Sequence, residues 1–471
     1  MFLCRDHELQ ILEQHYCQES SELIVIYGRR RVGKTALINE FVKDKKTIFF
    51  PALKANASDN LEALSKAIAE YQHPNAVSAP VYRTFDDAFS VITQIVREER
   101  VVFVIDEFPY LCDADKSIPS RLQHLLDHDW QDSHMYLILC GSSMSFMEKE
   151  VLSSKSPLFG RRTAQLKLEP LSYADSAVFY PELSPEENAF IYGITGGVPH
   201  YIRKLGVKNS VREALLKNFF DSSSYLFEEP DNLLRQELRE PAVYNSIITA
   251  IAEGASRVSD IASKVHLDTS YCNKYLKVLC ELGIVQKVEP VIDRSKKKIV
   301  YRITDQFFRF WYRFVPGNMM AITSGRMDRI YDAVVGEYVH DYMGQTFEYM
   351  CRSWLIEHME QLPFQISDIG EWWGTHPTLK KEVQLDIVAV APKLHERQAG
   401  NQYLIGSCKY RNEKIGVDEL SLIQEYASVF TSANDQCFYY IFSKSGFTDG
   451  LEKAAEEGRV TLITLNDMYV L

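Results

Sequence analysis

The sequence predicts an α/β protein of several domains, with a parallel sheet first, a helical module in the middle and a second α/β unit last. Three observations carry that prediction. Residues Gly28-Arg29-Arg30-Arg31-Val32-Gly33-Lys34-Thr35 form a complete G-x-x-x-x-G-K-T motif between the apolar run Leu23 to Tyr27 and the helix-like stretch Ala36 to Val42. Val101 to Ile105 is a second continuous apolar run, and it ends in the adjacent carboxylates Asp106 and Glu107. From Ala242 the pattern changes to short helices with apolar spacing of three to four residues, then to alternating segments that read as a β-hairpin.

The G-x-x-x-x-G-K-T motif works through its backbone. Gly28 and Gly33 permit turns that a Cβ would obstruct, and successive N–H groups at the start of a helix point at phosphate oxygens. The expected nucleotide-binding residues are therefore Gly28, Arg29, Arg30, Arg31, Val32, Gly33, Lys34, Thr35 and Ala36. Lys34 would place its ammonium between the β- and γ-phosphates, and Thr35 would offer a hydroxyl to Mg2+. An apolar run buried on both faces and ending in two carboxylates suits a strand whose tip reaches the nucleotide. Asp106 is then the second metal residue, and Glu107 the group that polarises the attacking water. ATP and Mg2+ are the expected cofactors, and ATP hydrolysis the expected reaction. A further apolar strand, Met135 to Cys140, runs into Gly141-Ser142-Ser143, where a hydroxyl could meet the γ-phosphate.

At 471 residues the chain exceeds one hydrophobic core, so two to four domains are expected. Apolar content of 46% and charged content of 25% fit folded protein and exclude a disordered class. The longest apolar runs fall far short of a bilayer span, and Arg5, Asp6 and Glu8 sit where a secretory segment needs apolar residues, so a cytoplasmic, non-membrane protein is expected. Nine cysteines are scattered without a C-x-x-C pair, which favours reduced thiols over a zinc site or disulfides. A formal charge of −12 argues against polyanion binding by the whole surface. Local charge differs: residues 241–305 hold ten Lys and Arg against seven Asp and Glu.

The order of these motifs resembles the AAA+ superfamily, and more narrowly the archaeal-type ATPases related to the STAND group. That resemblance implies a helical lid after the sheet and several site residues. Ser142 or Ser143 matches the sensing position after the Asp-Glu strand. Phe2-Leu3-Cys4-Arg5-Asp6-His7-Glu8-Leu9 looks like the family's Phe-x-Gly-Arg-x-x-Glu-Leu approach to the adenine, which implicates Arg5, with Cys4 in place of the usual Gly. Phe159-Gly160-Arg161-Arg162 stands where relatives carry an arginine finger, making Arg161 and Arg162 the candidates. Thr195-Gly196-Gly197-Val198-Pro199-His200 resembles the lid motif through Pro199, although Gly-Gly-x-Pro is also an ordinary loop.

Ala242 to Ala255, Val258 to His266 and Thr269 to Leu282 read as three helices, with Ser259 and Asp268 as N-caps and Gly283 as a closing glycine. Ile284 to Val291, a turn at Asp293-Arg294-Ser295 and Lys296 to Ile303 complete a hairpin. Three helices plus a hairpin predict a winged helix-turn-helix, and DNA as a partner. Its third helix would present Ser270, Asn273, Lys274 and Lys277 to a groove, with Lys296, Lys297 and Lys298 on the wing near phosphates. The competing reading is a packing module.

Ile303 to Phe314 is an aromatic helix capped by Thr304 or Asp305. It closely resembles the aromatic segment of archaeal-type ATPases that carry a C-terminal domain similar to the PD-(D/E)XK, or restriction-endonuclease-like, nucleases. With it the resemblance covers nearly the whole chain. The implied nuclease site comprises Glu348 on the helical stretch Val335 to Ile356, Asp386 within Val383 to Val390, and Ser407 with Lys409 at the end of Tyr403 to Lys409. Ser407 stands where the motif has Glu, and a hydroxyl lacks the charge an Mg2+ site uses. Glu382 lies roughly 13 Å from Asp386 along a strand, too far for one ion, so Glu419 or Glu425 on Val417 to Phe430 is the possible substitute.

The expected domains are 1–170 for the ATPase core, 171–238 for the lid, 239–305 for the winged helix, 306–340 for an aromatic connector and 341–471 for the nuclease-like part. The expected function is Mg2+-dependent ATP hydrolysis coupled to DNA binding and, if the site is competent, DNA cleavage. The alternative is a nucleotide-switched regulatory or scaffolding protein whose nuclease-like domain is inactive, with a protein partner or self-association.

Overall fold

The computed structural model describes residues 2–74, 80–292, 298–392 and 400–470. The chain forms two compact units, Met1–Pro170 with Val198–His200, and Leu171–Gly197 with Tyr201–Leu471. Among the described residues, no helix is long and apolar enough to cross a membrane. All nine cysteines are free thiols, five of them buried.

The first unit is built on strands β1 (Glu22–Tyr27), β2 (Thr47–Pro51), β3 (Val101–Asp106), β4 (Met135–Gly141) and β5 (Ala164–Lys167). They pair in parallel in the order β2-β3-β4-β1-β5. Side chains alternate across each strand, and here both faces are covered. Leu23, Val25, Val101, Phe103, Leu137 and Leu139 enter one apolar cluster, while Ile24, Ile26, Val102, Val104, Tyr136 and Ile138 enter another. This is why β1, β3 and β4 read as continuous apolar runs rather than alternating ones. Parallel pairing also sends the C-terminal ends of β1, β3 and β4 to one edge of the sheet.

In the second unit, the helix Pro185–Thr195 opens with a capping box between Ser184 and Glu187. The helix Gln306–Phe314 is capped by Asp305, whose Oδ1 accepts from the N–H of Phe308 at 3.0 Å, so Asp305 rather than Thr304 holds that end. Its aromatic face is buried: Phe307 stacks on Tyr201 at 4.2 Å between ring centroids, and Phe310 meets Phe219 edge-on at 4.9 Å.

The helices Pro241–Ala252, Val258–Lys264 and Thr269–Glu281 precede an antiparallel pair, β6 (Val285–Val288) and β7 (Val300–Ile303). Ser259 does not cap the second of these helices. Arg257 occupies the N-cap position, and the Ser259 hydroxyl, already inside the helix, bonds to Asp260 Oδ1 at 3.0 Å. The expected turn at 293–295 lies outside the described residues.

The last sheet runs β12-β11-β10-β9-β8, from β8 (Asp368–Thr375), β9 (Glu382–Val390), β10 (Gln402–Lys409), β11 (Gln436–Ser443) and β12 (Thr461–Thr464). β8, β9 and β10 pair antiparallel, and β10, β11 and β12 parallel. The helix Val339–Glu357 packs near β9 and β10. It begins after a separate π-helical turn, Asp332–Gly336, so the expected continuous helix from Val335 is broken.

Phe310 is fully buried within this aromatic cluster. Phe310→Ala should lower stability by about 3 to 5 kcal/mol, through lost burial and the cavity left behind. A fall in the urea midpoint at unchanged denaturant slope would register it.

Candidate functional site: three strand tips and a phosphate loop

The turn from β1 into the helix Lys34–Phe41 needs unusual backbone. Gly33, the N-cap, sits at φ +99°, and Arg31 at +70°. Gly28 has φ +154°, and a Cβ there would lie 2.3 Å from the Leu168 carbonyl oxygen, so only glycine fits. At Gly33 an added Cβ would meet no atom within 4 Å. The loop is therefore pinned on one side and open on the other.

Lys34 is buried, and its Nζ donates to the carbonyls of Gly28 and Arg29, both at 2.9 Å. Burial pulls its pKa below the usual lysine value, against the opposing pull of Glu107 and Asp106. Thr35 Oγ1 donates to Asp106 Oδ2 at 2.9 Å, and the other oxygen of Asp106 accepts from the N–H of Glu107 at 2.9 Å. Glu107 begins the helix Phe108–Ala114 in a left-handed conformation, φ +52° and ψ +43°. A non-glycine residue held there is uncommon, and such positions concentrate at functional sites. Ser142, just beyond β4, donates to both Glu107 oxygens, at 2.9 and 3.1 Å.

Five of the expected residues are thus joined or adjacent: Lys34, Thr35, Asp106, Glu107 and Ser142. The donor set fits a triphosphate with a hard divalent cation. It offers main-chain groups at a helix start, one ammonium, and a hydroxyl and carboxylate within hydrogen-bonding distance of each other. Thr35 and Asp106 are the residues able to hold the cation.

Other expected residues have different surroundings. Arg30 donates to the Tyr110 hydroxyl at 2.6 Å, and Arg31 lies 3.2 Å from His200 Nε2, next to Pro199 at the start of the helix Pro199–Leu205. Arg5 is buried and holds Glu8 Oε1 at 2.8 Å and the carbonyls of Glu169 and Val32 at 2.6 and 3.4 Å. Cys4, where the related motif has Gly, adopts φ +58°. Arg161 forms a two-pronged pair with Asp127 at 2.6 and 2.7 Å, and Arg162 donates to the Leu152 carbonyl at 3.0 Å.

A second cluster lies on the last sheet. The β9–β10 register sets Gly406 against Ile387, which brings Ser407 opposite Asp386. Asp386 Oδ2 accepts from the N–H of Cys408 at 2.9 Å and lies 3.6 Å from Lys409 Nζ. Glu419 Oε1 accepts from Ser407 Oγ at 2.7 Å and lies 3.2 Å from Lys409 Nζ. Of the two substitutes weighed from sequence, Glu419 faces the cluster, whereas Glu425 is exposed about one and two-thirds turns further along the helix. Glu348 is driven up to about 8, by burial first and then by Asp386 and Glu371; Asp386 is also raised by burial, with Lys409 opposing.

Sequence reasoning missed Glu371, a buried carboxylate held by Arg302 at 2.6 Å and Arg352 at 3.3 Å. Its one signal was a charge inside the apolar segment Ile369 to Trp373. Among the described residues, no three His, Cys, Asp or Glu side chains are close enough together to hold a metal ion.

On the helix Thr269–Glu281, Cys272, Leu276 and Leu279 are buried while Ser270, Asn273, Lys274 and Lys277 are exposed. Asn273 donates to the Thr269 carbonyl at 3.0 Å, and Lys274 Nζ lies 4.8 Å above the Tyr271 ring. Lys298 is described and partly exposed, whereas Lys296 and Lys297 lie outside the described residues.

Residues 2–205 match a family described as an ATPase domain predominantly from Archaea. Residues 311–420 match one described as archaeal and bacterial proteins of unknown function. An uncharacterized protein of Methanocaldococcus jannaschii is 33% identical over 376 residues, covering 79% of this chain and 82% of that protein. An uncharacterized ATP-binding protein of the same organism is 50% identical over 46 residues, 10% of this chain and 78% of that protein. Among solved structures, a Walker-type ATPase of Pyrococcus abyssi superposes with TM-score 0.52 at 19% identity, covering 66% of this chain and 96% of that one. The fold built on the parallel five-stranded sheet is accordingly shared with that Walker-type ATPase. The chain belongs to one family with the larger Methanocaldococcus protein, and it carries an ATPase domain of the predominantly archaeal type.

Proposed function

We propose that the protein binds and hydrolyses ATP with Mg2+ at the tips of β1, β3 and β4, and uses the nucleotide state to control DNA-binding elements in the rest of the chain. The observation that carries this reading is the linked set Thr35–Asp106–Glu107–Ser142 beside the buried Lys34. The loop N–H groups and Lys34 hold the phosphates, and Thr35 and Asp106 hold the cation. Glu107 orients water, and Ser142 fixes its carboxylate. Bound Mg2+ supplies charge neutralisation on the phosphate oxygens. Lys34→Ala should abolish ATP binding, and Glu107→Gln should keep binding while turnover falls by roughly a hundredfold or more. Unchanged turnover in both variants would place the reaction elsewhere.

The helices Pro241–Ala252, Val258–Lys264 and Thr269–Glu281 with β6 and β7 support a winged helix-turn-helix. Exposed Asn273, Lys274 and Lys277 on its third helix, with Lys298 after the turn, are the proposed DNA contacts. Replacing Lys274 and Lys277 by Gln should weaken duplex binding and lower the slope of log K against log salt by about 2, because each neutralised phosphate releases counterions. An unaltered slope would remove this helix from the interface.

The last sheet supports a PD-(D/E)XK-like domain in which Glu419 supplies the charge that Ser407 lacks, beside Asp386, Lys409 and Glu348. A second reading, a nucleotide-switched binding protein with no cleavage, is favoured by Ser407, a neutral hydroxyl where the motif has Glu, and by Lys409, which is paired with both Asp386 and Glu419. Duplex nicking with Mg2+ or Mn2+, lost in both Asp386→Ala and Glu419→Gln, is the outcome expected of a nuclease. Intact DNA under every metal and nucleotide condition is the outcome expected of the switch.

A further inference from the structure

The side chain of Arg30 reaches from the phosphate loop to the Asp-Glu strand tip. Lys34 Nζ lies 2.9 Å from the Arg29 carbonyl, the peptide group that leads into Arg30, so Arg30 leaves the loop beside the ammonium that meets the β- and γ-phosphates. Its guanidinium ends against another element. Nη2 donates to the Tyr110 hydroxyl at 2.6 Å, and Tyr110 is the third residue of the helix Phe108–Ala114, whose N-cap is Glu107. The Tyr110 N–H donates to the Glu107 carbonyl at 2.9 Å, which keeps the tyrosine within the first turn after Glu107.

Arg30 therefore spans from the loop that carries Lys34 and Thr35 to the helix that starts at Glu107. Charge supports the same placement. Burial lowers the pKa of Lys34, and the like charge of Arg30 adds to that fall, so the two cations lie close enough to repel. An anion between them would relieve that repulsion. Arg30 and Tyr110 are both partly exposed, which leaves the guanidinium within reach of a ligand.

We propose that Arg30 is a catalytic residue whose guanidinium meets the γ-phosphate from within the same chain and neutralises charge that builds there during hydrolysis. The assignment rests on the Gly28–Thr35 loop being an ATP site. As the water oxygen bonds to the γ-phosphorus, the bond from that phosphorus to the β–γ bridging oxygen breaks and ADP leaves with the electron pair. One water proton stays on the released phosphate and the other passes to solvent. A planar guanidinium can hold two phosphate oxygens at once and keeps its charge at any working pH. Tyr110 holds the side chain across the site beforehand, and a neutral hydroxyl gives it up more readily than a carboxylate would.

The test compares ATP with ADP, which differ only in the γ-phosphate. Their affinities are measured by titration calorimetry with Mg2+ on the full-length Glu107→Gln protein, in which turnover is suppressed. Adding Arg30→Ala should weaken ATP roughly tenfold or more, the scale of one charge-assisted hydrogen bond, and leave ADP within about twofold. In an otherwise wild-type chain, Arg30→Ala should lower kcat by roughly a hundredfold or more, with a smaller change in KM. Arg30→Lys should recover part of the preference for ATP. Tyr110→Phe removes the resting hydrogen bond and keeps the guanidinium, so it should retain that preference. Equal weakening of ATP and ADP, an unchanged kcat, or a Tyr110→Phe protein that loses the preference as fully as Arg30→Ala would overturn the assignment and leave the ATP site standing. A Glu107→Gln protein that binds no ATP would remove both.

Discussion

The N-terminal site depends on the order of its strands. β4 is hydrogen-bonded between β1 and β3, so the phosphate loop and the Asp-Glu pair lie two strands apart, roughly 10 Å across the sheet. That gap is spanned by side chains. Thr35 reaches from the first turn of its helix to Asp106, and Ser142, at the tip of the intervening strand, reaches Glu107. A different strand order would leave the same residues at the same sequence positions and the network unmade.

Burial on both faces of the sheet stabilises this arrangement and makes it rigid. Each central strand contributes alternate side chains to two separate apolar clusters, so a slip of one residue would exchange the clusters and displace the tips together. The strain at the tips is local. Glu107 and Arg31 hold left-handed backbone that costs on the order of 1 kcal/mol or more each, and the surrounding core absorbs it. Lys34 is buried beside two carboxylates, an environment of opposing effects in which desolvation dominates and its pKa falls.

In the second unit the organising constraint is charge rather than strand order. Lys409 lies between Asp386 and Glu419, whereas Arg302 and Arg352 both pair with Glu371. Glu371 is well paired, whereas Glu348 is driven toward its neutral form by burial and by Asp386. Arg302 stands on β7, so its pair with Glu371 links the β-hairpin to the sheet.

The phosphate loop, the Asp-Glu strand tip and the apolar strands around them were legible in the sequence because each rests on local spacing. A glycine must stand where a Cβ would collide, and a strand covered on both faces must be continuously apolar. The aromatic helix at 306–314 was legible for the same reason, though only the structure separated Asp305 from Thr304 as its cap. Tertiary structure alone decided that Ser142 meets Glu107, that Glu419 rather than Glu425 meets Lys409, and that Glu371 lies buried between arginines. Those outcomes depend on inter-strand register and on which helical face turns inward, long-range geometry that no local pattern encodes. The guanidinium groups of Arg161 and Arg162 make the same point: only packing sets Arg161 against Asp127 and Arg162 against the Leu152 carbonyl.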